Sequence, residues 1–219
     1  MFKFKNISST EMKVICEEED NLISRSALSY EENSSGIFFS NRYNNVDGTI
    51  KLFVMDKTKI NEIYAWLSGE GLLEYNNKVS TTYFLEEIKP QRTASIKTID
   101  LNFKRSPYWY KKEDNYVECS NTVSNEGNVF SQPTIKIVKG ESDVVDITIN
   151  GIRFKYTFPT NEEYVIIDSY DCNAYYNGLY RNENLEIDFE FPILNPGENQ
   201  IAYNSGSCQL FFLKKDRWV

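Results

Sequence analysis

The residues equipped to do chemistry are few, and the first fact about them is an absence. The 219-residue chain contains no histidine. Ser-His-Asp and Cys-His nucleophile activation, HExxH zinc binding and a histidine pH switch all need an imidazole, so none is open to this protein. The four cysteines, Cys16, Cys119, Cys172 and Cys208, form no CxxC pair, which argues against a zinc knuckle or a redox dithiol. Free thiols in a protein made in a reducing cytosol are the expectation. A glycosidase needs only two carboxylates, and the chain has 32 acidic residues. Glu186, Asp188 and Glu190 share a strand face, but alternation turns that face to water, where charge discourages edge pairing. Asp168, after the apolar run 164–167, is the best single acid for a perturbed environment. A buried Asp at a strand end more often accepts backbone hydrogen bonds than moves protons. Walker, dinucleotide and nucleophile-elbow motifs are absent, as is EF-hand spacing. The expectation is a protein that is not an enzyme, with no cofactor and no metal site.

Aromatic side chains remain as candidate ligand contacts. Fifteen Tyr and 14 Phe are unusually many. Tyr108, Trp109 and Tyr110 form one cluster. Tyr175 and Tyr176, beside Asn173 and Asn177 in a loop-like stretch, form the better candidate for stacking on a sugar face. The competing role for both is core or subunit interface.

The elements that must position these residues are mostly strands. Ile50, Leu52 and Val54 alternate after an Asp47-Gly48 turn signal. One helix is expected near 57–68: Asp56 or Thr58 can cap it, and Ile60, Ile63, Tyr64 and Leu67 form its apolar stripe before Gly69. Strands follow at 81–88, ended by Pro90, and at 95–104, with Ile99, Leu101 and Phe103 inward. In the second half, Asn150-Gly151 between two alternating runs marks a type I′ hairpin over 144–157. Further strands read at 133–140, 162–169, 183–191 and 208–219, with 191–203 as a proline-bounded crossover. Residues 118–132 are polar and turn-rich, which places a domain boundary there. The fold class is mainly β, a β-sandwich or barrel with one α-helix, divided into 1–130 and 131–219.

Residues 24–48 are polar and rich in Ser and Asn but hold an apolar island. A long loop or extended hairpin is the natural reading. Ile37, Phe38, Phe39 and Tyr43 are its candidate subunit-interface residues, because such patches mark contacts. Net charge is −8, and neither half carries a basic nucleic-acid footprint. No apolar run is long enough for a signal peptide or a membrane span, so a protein made in the cytoplasm and not inserted in a membrane is expected.

The order of these features resembles a known family. A helix ending in WLSGEGLL (66–73) precedes LNFKRSPYWY (101–110). PTIKI, ITINGIRF, YVIIDS and FPILNPGENQI follow, and the chain closes on Arg217-Trp218. The most specific part is the trio Asn150-Gly151, Ile167-Asp168-Ser169 and the segment 192–199. Together they resemble the phage distal tail proteins, the siphovirus tail-component family. The resemblance implies an N-terminal ring-forming domain and a C-terminal galectin-like β-sandwich, here of minimal size. It implies a hexameric ring in the virion tail that joins the tail tube protein to tail-tip or baseplate hub proteins, with DNA only passing through the lumen. A carbohydrate-binding host-adhesion module is the alternative. The galectin label describes a fold and implies no sugar site.

Overall fold

The computed structural model describes residues 1–17, 19–33, 36–85, 89–93, 96–188 and 190–219, and within 30–42 and 86–97 the backbone alone. It is mainly β and divides into two compact units, Met1–Lys112 with Val219, and Glu113–Trp218.

The first unit contains β1 (Lys3–Phe4), β2 (Ile7–Ser8), β3 (Val14–Glu17), α1 (Glu19–Leu22), β4 (Leu28–Asn33), β5 (Gly36–Tyr43), β6 (Val46–Val54), α2 (Ile60–Trp66), β7 (Gly69–Tyr75), β8 (Lys78–Phe84), β9 (Lys89–Thr93), β10 (Ile96–Arg105) and β11 (Trp109–Lys111). Its main antiparallel sheet runs β2-β1-β7-β8-β10-β6-β3, with β9 on β10 and β11 on β8. Alternation does what the sequence predicts. Ile50, Leu52 and Val54 of β6 and Ile99, Leu101 and Phe103 of β10 are buried. The helix is present as a 3-10 turn over Lys57–Lys59 that runs into α2. Asp56 starts it by accepting a hydrogen bond from the Thr58 N–H at 3.0 Å, which satisfies one of the orphan donors of the first turn. Ile63, Trp66 and Leu67 face the core, and the Trp66 indole donates to the Phe4 carbonyl at 2.7 Å.

Several expectations fail here for identifiable reasons. A one-turn helix, Glu19–Leu22, stands where no second helix was expected, and Leu22 anchors it in the core. Asp47-Gly48 makes no turn; both residues lie within β6. A Cβ at Gly48 would sit 2.8 Å from the Phe103 ring across the strand pair, so glycine is there for close approach. Pro90 does not end a strand but sits inside β9, which among the described residues pairs only with β10. An edge strand tolerates the missing N–H. Residues 86–88 of the expected strand 81–88 lie outside the described residues.

The second unit is a sandwich of two antiparallel sheets. Its strands are β12 (Val117–Cys119), β13 (Thr122–Asn125), β14 (Thr134–Lys139), β15 (Val144–Ile149), β16 (Ile152–Thr157), β17 (Tyr164–Asp168), β18 (Asn173–Tyr176), β19 (Leu179–Tyr180), β20 (Leu185–Ile187), β21 (Gly197–Ser205), β22 (Cys208–Leu213) and β23 (Arg217–Trp218). One sheet runs β12-β22-β14-β17-β18-β19 and the other β13-β21-β15-β16-β20. Ile135, Ile137, Val165, Ile167, Leu210 and Phe212 of the first meet Val145, Ile147, Ile149, Phe154, Tyr156 and Ile201 of the second in one buried cluster. The Asn150-Gly151 hairpin is as expected, with φ of 49° and 85° between β15 and β16. None of the four cysteines is in a disulfide.

The division between compact units precedes the boundary expected at 130. Residues 118–132 looked like linker, yet β12 pairs with β22 and β13 with β21. Ladder bonds and the buried Val123, Asn125, Val129 and Ser131 hold this polar stretch in the sandwich. Likewise 191–203 is not mainly a crossover. From Gly197 it is the nine-residue strand β21. The strand expected over 183–191 is shorter, Leu185–Ile187, with Phe189 outside the described residues.

Candidate interaction surfaces

The hairpin candidate is built on β4 and β5, which form a two-stranded sheet of their own. The side chains of Ile37, Phe38 and Phe39 lie outside the described residues. Tyr43, at the base, is half-buried, its ring edge-on to Tyr108 at 6.0 Å. Tyr108 in turn meets Tyr110 at 6.5 Å. The Asn44 N–H donates to the Ala27 carbonyl at 3.0 Å, and the Ser26 hydroxyl donates to the Asn44 carbonyl. Beneath them lies a residue that sequence reasoning missed. Arg105 is buried, donates to the carbonyls of Ser24 and Ser106 at 2.7 Å each, and lies 4.7 Å over the Trp109 ring. Burial pushes its guanidinium down to about 10. The signal was available: Arg105 continues the inward phase of Ile99, Leu101 and Phe103, so a cation had to enter the core and find carbonyl acceptors.

The tyrosine candidate is not a loop. Asn173–Tyr176 and Leu179–Tyr180 are the strands of a hairpin turned by Asn177 and Gly178, with φ of 49° and 78°. Neighbours on a strand leave it on opposite faces, so Tyr175 and Tyr176 do not make one platform. Tyr175 packs against Tyr180 at 5.2 Å, whereas Tyr176 packs against Tyr164 at 5.1 Å and donates its hydroxyl to the Asn161 carbonyl.

Asp168 is an acceptor hub. Its carboxylate takes hydrogen bonds from the N–H groups of Tyr170 and Asp171 at 2.9 and 3.2 Å, from the Thr134 hydroxyl at 2.8 Å and from Lys215 at 3.0 Å. Burial pushes this carboxyl up, but the bonds from Lys215, Thr134 and Asp171 outweigh it and hold it below the usual range. That is a carboxylate kept ionised to close a turn, as the sequence reading favoured.

Two of the three motifs, Asn150-Gly151 and the segment 192–199, form one hydrogen-bonded unit. Asn199 is fully buried. Its carboxamide oxygen accepts from the Asn195 N–H at 2.7 Å and from Asn150 Nδ2 at 2.5 Å. Its nitrogen reaches the carbonyls of Asn195 and Gly197, both at 2.9 Å, and Val123 at 3.2 Å. One side chain thus fastens the hairpin turn at 150–151, the segment 192–199 and the edge strand β13. Among the described residues no group of three or more His, Cys, Asp or Glu is placed to hold a metal ion.

These features define a two-unit β protein whose singled-out residues fasten segments and present surfaces. Residues 126–218, within the second unit, match the family described as siphovirus-type tail component, C-terminal domain. Over the full length the fold is similar to the crystal structure of SPP1 Dit, described as a paradigm of the hub adsorption apparatus in phages infecting Gram-positive bacteria. The TM-score is 0.74 at 12% identity, covering 100% of this chain and 98% of that one. Phage P2 baseplate structures also match, including the activated form with Ca, at a TM-score of 0.40 and 11% identity over 94% of this chain and 91% of that one. No curated protein matches. The resemblance to distal tail proteins therefore stands on the family match over the second unit and on the fold of the whole chain.

Proposed function

We propose that this chain is a structural distal tail protein: a non-enzymatic subunit of a phage or phage-tail-like particle that forms a hexameric ring between the tail tube and the tip or baseplate proteins. One observation carries the reading: the family match at 126–218 lies inside a whole-chain fold of the SPP1 Dit type. A closed cyclic ring needs two different patches on each subunit. The β4–β5 hairpin supplies one candidate, with Ile37, Phe38 and Phe39 on β5 and Tyr43 at its base. The protein is made in the host cytoplasm and resides in the virion tail, with DNA passing through the lumen.

The test is the mass of the purified protein in solution by light scattering and native mass spectrometry, for the wild type and for a variant lacking 30–45. A ring-sized wild type and a folded monomeric deletion support the reading. A wild type that stays monomeric at high concentration and is missing from purified particles overturns it. A monomer that binds wall polysaccharide saturably, and loses that binding on Tyr176→Ala, points instead to a carbohydrate-binding adhesion module.

A further inference from the structure

The negative charge of this chain belongs to one of its units. Met1–Lys112 has 16 basic and 15 acidic side chains, net +1, and Glu113–Trp218 has 8 and 17, net −9. The acidic unit also carries a row that is apolar or aromatic at three of its four positions, where alternation across a solvated sheet calls for polar residues. The register sets Lys136, Ile166, Tyr175 and Tyr180 side by side across β14, β17, β18 and β19. This row backs the core-facing row Ile135, Ile167 and Ala174. At about 4.8 Å per strand it spans roughly 15 Å. At its β19 end Tyr180 is 63% exposed; Leu179, on the other face of the same strand, is 60% exposed, and Tyr170 nearby in sequence is 66% exposed. β19 is an edge strand, and neither of its residues is a charge or a proline that would blunt strand addition. Residues 159–191 around it hold eight acidic side chains and one base, Arg181, and Arg181 is paired with buried Glu162.

We propose that this tyrosine-rich edge of the six-stranded sheet docks a second tail protein through a basic surface carrying apolar side chains. Charge complementarity selects that occupant. A second copy of the same unit would bring net −9 against it, and the first unit, at net +1, offers no basic excess. A glycan needs free polar groups to orient its hydroxyls. Here Asn182 donates to Asn173 at 2.7 Å and Tyr164 donates to Asn177 at 2.7 Å, so the nearby amides are already engaged with protein. The inference rests on the proposed place of the chain in a tail.

The experiment compares the free protein with purified particles. Hydroxyl-radical footprinting reads Tyr170, Leu179 and Tyr180, and a photo-crosslinking benzophenone amino acid replaces Tyr180. The expected result is at least about a tenfold drop in oxidation of these residues on assembly, as in the dry centre of an interface. Crosslinks should land on a Lys- or Arg-rich stretch of a different tail protein. The double variant L179D/Y180D should enter particles but lose that crosslinked partner's co-purification. Equal oxidation in free and assembled protein, crosslinks only to another copy, or protection only by added wall polysaccharide would overturn the inference. If the chain is missing from particles, the proposed function falls first and this inference with it.

Discussion

Replacing Asn199 by Ala should do more damage than its small size suggests. The carboxamide is fully buried and makes contacts of 3.2 Å or less with five groups: the N–H and the carbonyl of Asn195, the carbonyls of Gly197 and Val123, and Asn150 Nδ2. Two amide hydrogens serve three carbonyls, so about four full bonds are lost. Each contributes about 1 kcal/mol net, and leaving the partners unsatisfied costs more than the bonds alone. A water entering the vacated space recovers part of this. The expected destabilisation is about 3 kcal/mol, which lowers the melting transition of the second unit by on the order of 15 °C. Calorimetry gives the shift, and amide exchange gives its location: the Asn195 N–H should exchange much faster. Asn150→Ala alone should cost less, about 1 kcal/mol, and the double variant should be less destabilised than the sum of the two, because they share a bond. A loss under about 1 kcal/mol for Asn199→Ala, or strict additivity with Asn150→Ala, would refute the view that these motifs are one hydrogen-bonded fastener.

Three further outcomes are expected. Arg105→Lys keeps the charge but cannot reach both Ser24 and Ser106 carbonyls while covering Trp109. It should cost about 2 kcal/mol and speed exchange of the Asn44 N–H at the hairpin base by on the order of tenfold. Gly48→Ala places a methyl 2.8 Å from the buried Phe103 ring; overpacking should cost about 1–3 kcal/mol in a denaturant titration. Asp146 is held down to about 2, first by its hydrogen bonds from Arg153 and then by one from Asn204, against burial. Its depressed value stabilises the fold above the ordinary Asp range near 3.8, and that contribution disappears as pH falls through about 2. Because Arg153 is half-exposed, the contribution is about 1–2 kcal/mol rather than the full shift. Arg153→Ala should flatten the acid limb of a stability profile between pH 4 and pH 2.

What the sequence revealed followed the strength of local signals. The 144–157 hairpin was plain because Asn-Gly supplies both positive φ angles and the flanking runs alternate. The 57–68 helix was plain because cap, stripe and glycine agree. β21 was hidden because one of its two core-facing positions is Asn199, a polar residue where alternation looks for an apolar one. β12 and β13 were hidden because only Val123 and the polar Asn125 are buried among their residues, and pairing with β22 and β21, a tertiary fact, makes them strands. The tyrosine stretch read as a loop although Asn177-Gly178 is the same turn signal used successfully at 150–151; strands of four and two residues give alternation too little length to register. Arg105 was missed because a cation is expected outside, although the phase of β10 points inward.

The division into compact units at Lys112 also bears on how DNA would pass through a ring. Taken over the whole sequence, a net charge of −8 would suit a ring that repels DNA sliding through it. With the units divided at Lys112, the unit that would form the ring is nearly neutral and the acidic excess lies in the sandwich. Opposite charges within a nearly neutral unit screen one another at short range, so free passage of DNA would depend on a lumen without clustered Lys or Arg rather than on repulsion. The excess acid then needs another role. Self-repulsion makes concentrated charge unfavourable for a compact unit, whereas partner selection gives it a use: it steers a basic surface toward the tyrosine-rich edge and keeps other copies of this chain off it. The position of the charge thus supports the proposed capture of a partner by the second unit.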